Sequence, residues 1–104
     1  MTETIAPPQA KPIHHWIGGT SVPGTSGRSG AVWNPATGEQ TGAVDFATVD
    51  EIDAAVQTAR EAFTTWRSVS LARRAELFFV IRELLHRHRE DIARILTAEH
   101  GKVL

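Results

Sequence analysis

The sequence predicts an α/β chain in which short β strands come first and two or three amphipathic helices follow. Three observations carry that prediction. Between residues 13 and 47, short apolar runs alternate with glycine- and proline-rich stretches, the pattern of brief strands joined by turns. From Ile52 to Trp66, and again from Leu71 to Leu85, apolar residues recur at steps of three and four, which lines up one face of a helix. Capping signals stand where those helical patterns begin.

Residues 1–12 read as a disordered arm, because Pro7, Pro8 and Pro12 remove backbone donors from a polar stretch. Residues 13–104 form the structured part. Ile13-His14-His15-Trp16-Ile17 reads as a strand, and Gly18-Gly19 can adopt the positive φ angles of a tight hairpin. Thr20-Ser21-Val22 is the return strand. Pro23 to Gly30 is a loop. Ala31-Val32-Trp33 is the next strand, ended by Asn34-Pro35, since the residue before proline is held extended. Ala36-Thr37-Gly38 completes that turn, and Glu39 to Ala47 carries a third strand with Val44 and Phe46 on one face.

Thr48 and Glu51 have the spacing of a capping box, and Asp50, Glu51 and Asp53 favour the positive end of a helix dipole. In the first helix Ile52, Ala55, Val56, Ala59, Phe63 and Trp66 line up as one apolar stripe. Ser70 caps the second, whose apolar face holds Leu71, Ala75, Phe78, Ile81 and Leu85, widened by Leu77 and Leu84. The pattern thins at Arg87-His88-Arg89 and resumes with Ile92, Ile95 and Leu96. A break and a third helix follow from that, with Gly101 as its stop.

Composition excludes several functions. A net charge of -1 provides no field for nucleic acid or an anionic membrane. The chain has no cysteine, hence no disulfide, thiolate metal site or cysteine nucleophile. No run approaches the ~20 apolar residues of a bilayer span, and Met1-Thr2-Glu3-Thr4-Ile5 lacks the features of a signal peptide. A soluble, cytoplasmic protein is expected.

Each candidate site has a plainer explanation. Gly24, Gly27 and Gly30 match neither phosphate-loop pattern and read as a structural loop. His86 and His88, two apart on a helix, point away from each other. His88 and Asp91 are better spaced, but two ligands make a poor metal site. His14 and His15 lie on opposite faces of a strand. Arg73, Arg74, Arg82, Arg87, Arg89 and Arg94 are interspersed with Glu76, Glu83, Glu90 and Asp91. Pairs such as Glu83–Arg87 and Glu90–Arg94 then make a salt-linked, solvated face rather than a nucleic-acid surface. Trp16, Trp33 and Trp66 read as core anchors. The expected inventory is no catalytic residue, no cofactor-binding residue and no metal ligand.

A sharper reading comes from the order of short motifs. His15-Trp16-Ile17-Gly18-Gly19, Asn34-Pro35-Ala36-Thr37-Gly38, Ala62-Phe63-x-x-Trp66, Arg73-Arg74 and Glu99-His100-Gly101-Lys102 follow one another. In that order the chain resembles the amino-terminal part of NAD(P)-dependent aldehyde dehydrogenases. The loop Val22-Pro23-Gly24-Thr25-Ser26-Gly27-Arg28 resembles the CoA-acylating methylmalonate-semialdehyde dehydrogenases in particular. The resemblance implies a fold with a doubly wound NAD-binding domain, a catalytic domain and a small oligomerisation sheet. Residues 13–104 would be an incomplete part of the NAD-binding and oligomerisation region, with the strands at the periphery.

The resemblance also implies chemistry in which a cysteine attacks the aldehyde, a glutamate acts as base, and an asparagine with a backbone N–H holds the oxyanion. Hydride passes to NAD, and the thioester passes to CoA with loss of carbon dioxide. None of those groups is expected here, since the only asparagine, Asn34, belongs to the turn. Some relatives hold an alkali cation through backbone carbonyls at positions matching Val32 and Trp33, but bulky Trp33 and the missing partner residues argue against a site. NAD and CoA are therefore expected to serve the parent enzyme without binding this segment. The expected partners are the rest of such a chain and further copies of it, with no nucleic acid or membrane. The alternatives are a free-standing binding or assembly module and a truncated, non-functional product of the same family.

Overall fold

In the computed structural model, residues 10–103 are described. Five strands precede three helices: β1 (Lys11–Ile13), β2 (His15–Ile17), β3 (Thr20–Val22), β4 (Ser29–Trp33), β5 (Gln40–Asp45), α1 (Val49–Trp66), α2 (Leu71–Arg87) and α3 (Arg89–His100). The strands make a three-stranded sheet in the order β1-β5-β4 and a separate β2-β3 hairpin.

Two details differ from the sequence reading. The expected arm reached Pro12. Its first nine residues lie outside the described residues, but Lys11 and Pro12 belong to β1, which pairs parallel with β5. Proline is tolerated there because β1 is an edge strand, where a missing donor costs no ladder bond on the open side. The single strand expected over Ile13–Ile17 is two. The chain leaves the sheet at His14 and enters the hairpin at His15, and the His14 ring is engaged by Asp45.

The turns follow their residues. Gly18 and Gly19 take φ of 62° and 79°, so Ile17 pairs directly with Thr20 across a two-residue hairpin. That conformation is open to glycine without a Cβ penalty. Asn34 closes its turn in two ways. Its carbonyl accepts from the Gly38 N–H at 2.8 Å, and its side-chain Oδ1 accepts from the Ala36 N–H at 3.0 Å.

Capping is as the sequence reads. Thr48 Oγ1 accepts from the Glu51 N–H, and Glu51 Oε1 accepts from the Thr48 N–H, both at 3.0 Å. Ser70 Oγ accepts from the Arg73 N–H at 3.2 Å. The break falls at His88, which ends α2 and starts α3, and Gly101 stops α3 with φ of 83°.

Packing is sparse. Among the described residues no hydrophobic side chain is buried, and Gly42 in the central strand is the one buried residue. The molecule measures 66 × 38 × 16 Å with a radius of gyration of 18.7 Å, against about 13 Å for a compact domain of this length. Among the described residues, the main contacts between elements lie within the sheet and the hairpin, and no helix packs extensively on another. No helix among the described residues is long and apolar enough to cross a membrane.

Candidate functional site

The densest polar cluster gathers the β2-β3 hairpin, the 24–28 loop, the end of β5 and the start of α1. Asp45 is its hub. One carboxylate oxygen, Oδ2, meets His14 Nδ1 at 2.7 Å and accepts from the Gly24 N–H at 2.7 Å. The Gly24 N–H, followed by the His14 ring, holds the Asp45 carboxyl below its ordinary value, because hydrogen bonds to the charged form favour it. Glu51 is held below its ordinary value by the Thr48 N–H foremost, with partial burial opposing it and Thr25 assisting. Its Oε1 accepts from Thr25 N–H at 3.3 Å, and its Oε2 lies 3.6 Å from His15 Nε2.

The same loop is fastened at three further points. Ser26 Oγ donates to the Phe46 carbonyl at 2.5 Å, and the Arg28 guanidinium donates to the Ala47 carbonyl at 3.2 Å. The third is steric. A Cβ on Gly24 would lie 2.8 Å from Asp45 Cβ and 3.1 Å from His15 Nε2, so only glycine lets the loop approach. Beside the cluster, His15, Trp16 and Ile17 of the hairpin face Glu51, Ile52, Ala55 and Val56 of α1 across a cavity of about 310 Å³.

The residues weighed in the sequence now have places. Gly24, Gly27 and Gly30 sit in or beside the fastened loop, and Gly30 lies against the Phe46 ring. His14 and His15 do not share a ligand; each faces its own carboxylate. His86 lies in the last turn of α2 and His88 is the residue between α2 and α3, with His88 Nδ1 3.8 Å from Asp91. Glu83–Arg87 and Glu90–Arg94 form exposed pairs at 3.9 Å. Among the described residues no group of three or more histidines and carboxylates is placed to hold a metal ion.

The tryptophans correct an expectation. Trp16 is 75% exposed, and Trp33 and Trp66 are also exposed, so none anchors a core within this chain. The elements that carry them have no second layer among the described residues. Trp66 is instead stacked by the Arg74 guanidinium, 5.2 Å from its ring centroid. Arg74 also donates to the Trp66 carbonyl at 2.8 Å, bridging α1 to α2. The Asn34-Pro35 turn and the end of α3 also approach each other: a Cβ on Gly101 would stand 3.1 Å from Pro35 Cγ. The short motifs thus mark joints between elements, and none places a nucleophile.

Sequence reasoning missed the hub. Glu51 was visible as a capping residue, but Asp45 lies 31 residues from His14 and 21 from Gly24. No local periodicity connects positions that far apart.

Residues 22–104 match the aldehyde dehydrogenase family, and the chain belongs to that family. Malonate-semialdehyde dehydrogenase 2 of Geobacillus thermodenitrificans is 46% identical over 99% of this chain and 20% of its own length. Malonate-semialdehyde dehydrogenase 3 of Geobacillus kaustophilus is 45% identical over the same shares. Among solved structures, the methylmalonate-semialdehyde dehydrogenase of Oceanimonas doudoroffii superposes with a TM-score of 0.85 at 39% identity, covering 89% of this chain and 19% of its own. A Sinorhizobium meliloti 1021 protein, assigned as a methylmalonate-semialdehyde dehydrogenase and complexed with NAD, superposes equally well at 37% identity, over 88% of this chain and 19% of its own. The chain spans about a fifth of the length of the relatives it matches, their amino-terminal segment.

Proposed function

We propose that these residues act as the amino-terminal scaffold of a longer aldehyde dehydrogenase that oxidises methylmalonate semialdehyde with NAD and CoA. The single observation that supports this most is the 46% identity along 99% of the chain to a malonate-semialdehyde dehydrogenase. In the proposed reaction the semialdehyde carboxylate, NAD and CoA give acyl-CoA, NADH and carbon dioxide, the proton released in oxidation and thioester formation being taken up at the carbon that loses the carboxylate. Residues 13–104 would be an incomplete part of the NAD-binding and oligomerisation region, partnered by the rest of the chain in a cytoplasmic homo-oligomer.

The segment itself is proposed to be inactive. It contains no cysteine to form a thioester, and covalent catalysis of this kind needs that nucleophile. The residues present do not fit NAD either. The connection from β5 to α1, Phe46-Ala47-Thr48, has no glycine for a pyrophosphate to approach closely. The positive end of α1 is already closed by Thr48 and the Glu51 carboxylate, whose charge repels phosphate.

Grafting tests the proposal. A chimera in which this chain replaces the matching fifth of the Geobacillus thermodenitrificans relative should form NADH from methylmalonate semialdehyde, NAD and CoA. The isolated chain should form none and should show no micromolar NAD binding by calorimetry. A folded but inactive chimera, or an active isolated chain, overturns the reading. The coding frame after Leu104 is a companion test. Continuation to a cysteine and a later glutamate supports the enzyme, whereas an immediate stop favours a free-standing module or a truncated product.

A further inference from the structure

Independently of that function, we infer that the open edge of β4 is an interface for a second copy of this chain, the two β4 strands pairing antiparallel about a two-fold axis at Ala31. The sheet order β1-β5-β4 leaves two edges, and they differ in kind. β1 is three residues long and carries Lys11 and Pro12. Shortness, charge and a missing donor all blunt an edge against pairing. β4 runs for five residues, Ser29-Gly30-Ala31-Val32-Trp33, with no charge and no proline. The hairpin strands are three residues each and offer little ladder. Among the described residues, β4 is thus the one longer, unguarded edge.

The groups on that edge stand in a defined order. The Arg28 carbonyl accepts from the Phe46 N–H at 3.0 Å, and the Asn34 N–H donates to the Glu39 carbonyl at 2.9 Å. Backbone groups at the even positions from 28 to 34 therefore face β5, and those of Ser29, Ala31 and Trp33 face away from it. Val32 pairs with Gly42 and Trp33 with Gln40, so the extra residue of the bulge, Thr41, is in β5 and β4 keeps its alternation. A second β4 centred on Ala31 meets these groups with identical ones. Ala31 faces its own counterpart and exchanges both bonds with it, while Ser29 of each copy faces Trp33 of the other. Ser29, Ala31 and Trp33 share one exposed face, Trp33 being 54% exposed. Each indole then lies across a serine and beside an alanine, large against small. Arg28 faces Asn34 in this register, so no like charges are opposed. Gly27, with φ of 72°, and the Asn34-Pro35 turn bound the paired stretch. Such a two-fold contact consumes both β4 edges and leaves only the guarded β1 edges outward, so the assembly closes at two copies.

The chain has no cysteine, so introduced thiols report the register directly. The test uses the full 104-residue chain carrying Phe78→Lys and Leu85→Lys, which suppresses association through the apolar face of α2. In that background Ala31→Cys should oxidise to a disulfide-linked dimer, because the Cα atoms of a hydrogen-bonded pair stand about 5.5 Å apart, within disulfide reach. Ser29→Cys should crosslink at least about tenfold more slowly, since its two copies lie at opposite ends of the paired stretch, roughly 14 Å apart. Ala31→Pro removes an outward N–H and no bond to β5, and should convert the dimer seen by sedimentation equilibrium into monomer. The comparison of the two cysteine variants holds even if Ala31→Pro disturbs the sheet. A monomeric background chain overturns the proposal, as does the absence of a crosslink at Ala31. Crosslinking at Ser29 as fast as at Ala31, or a dimer that survives Ala31→Pro, overturns it as well.

Discussion

Residues 11–48 and residues 49–100 send their bonds to different places. In the strand half, polar groups reach far along the chain: His14 and Gly24 to Asp45, Ser26 to Phe46, Arg28 to Ala47. In the helical half, side-chain bonds span three or four residues, apart from the Arg74 bridge to Trp66 and the Glu51 carboxylate at the start of α1, which accepts from the Thr25 N–H. The strand half determines its own shape with few apolar contacts. The helices are locally well formed but keep their apolar residues outward, with Phe78 64% and Phe79 67% exposed. Secondary structure and tertiary burial are thus separable here. Capping and periodicity suffice to build a helix, whereas burying its stripe requires a second surface.

The largest test of this contrast is association. α2 carries Leu77, Phe78, Phe79, Val80, Ile81, Leu84 and Leu85 within nine positions, all exposed. Each large side chain left uncovered forgoes roughly 1.5–3 kcal/mol of burial. The isolated chain should therefore self-associate at micromolar concentration by light scattering, and Phe78→Lys with Leu85→Lys should return it toward monomer. A monodisperse monomer with slow amide exchange from Phe78 to Leu85 would show that the helices complete a core without a partner.

What was legible in the sequence divides along the same line. The starts of α1 and α2, the His88 break, the Gly18-Gly19 hairpin and the Gly101 stop each rest on residues within four positions of one another. Local chemistry specifies such features. The split at His14, the parallel pairing of β1 with β5 and the Asp45 hub each depend on residues about thirty apart, and nothing in a short window encodes them. The tryptophans were misjudged for a related reason. Apolar spacing says that a face seeks cover but not where the cover comes from.

Acid should break the strand half before the helices. Asp45 and Glu51 are both held below their ordinary values. A carboxylate with a depressed folded-state value contributes stability that is full above its unfolded value and lost as pH falls through the folded one. Residues 14–28 should therefore lose exchange protection below the ordinary carboxylate range, while circular dichroism still reports helix. Simultaneous loss of both signals would mean that the two halves are one cooperative unit.

Substitution at the joints gives smaller effects. Gly101→Ala places a Cβ at φ 83° and 3.1 Å from Pro35, and should cost about 1–2 kcal/mol, read as weaker protection of the last turn of α3. Thr48→Ala removes the oxygen that accepts from the Glu51 N–H and should cost about 1 kcal/mol, confined to the first turn of α1.

The smallest effect belongs to the exposed face of α2. Glu83 and Arg87 stand 3.9 Å apart, with their side chains 69% and 64% exposed. At that exposure, water and salt screen the attraction, and two long side chains lose freedom to hold the pair. Glu83→Gln should change stability by no more than about 0.5 kcal/mol, and the change should shrink further at high salt. The measurement is the thermal midpoint of the chimera with and without the substitution, at two ionic strengths. A shift well above that size would mean that Glu83 is not merely solvated in the assembled protein. It would then mark this polar face, and not only the apolar stripe, as a surface that the rest of the chimera covers.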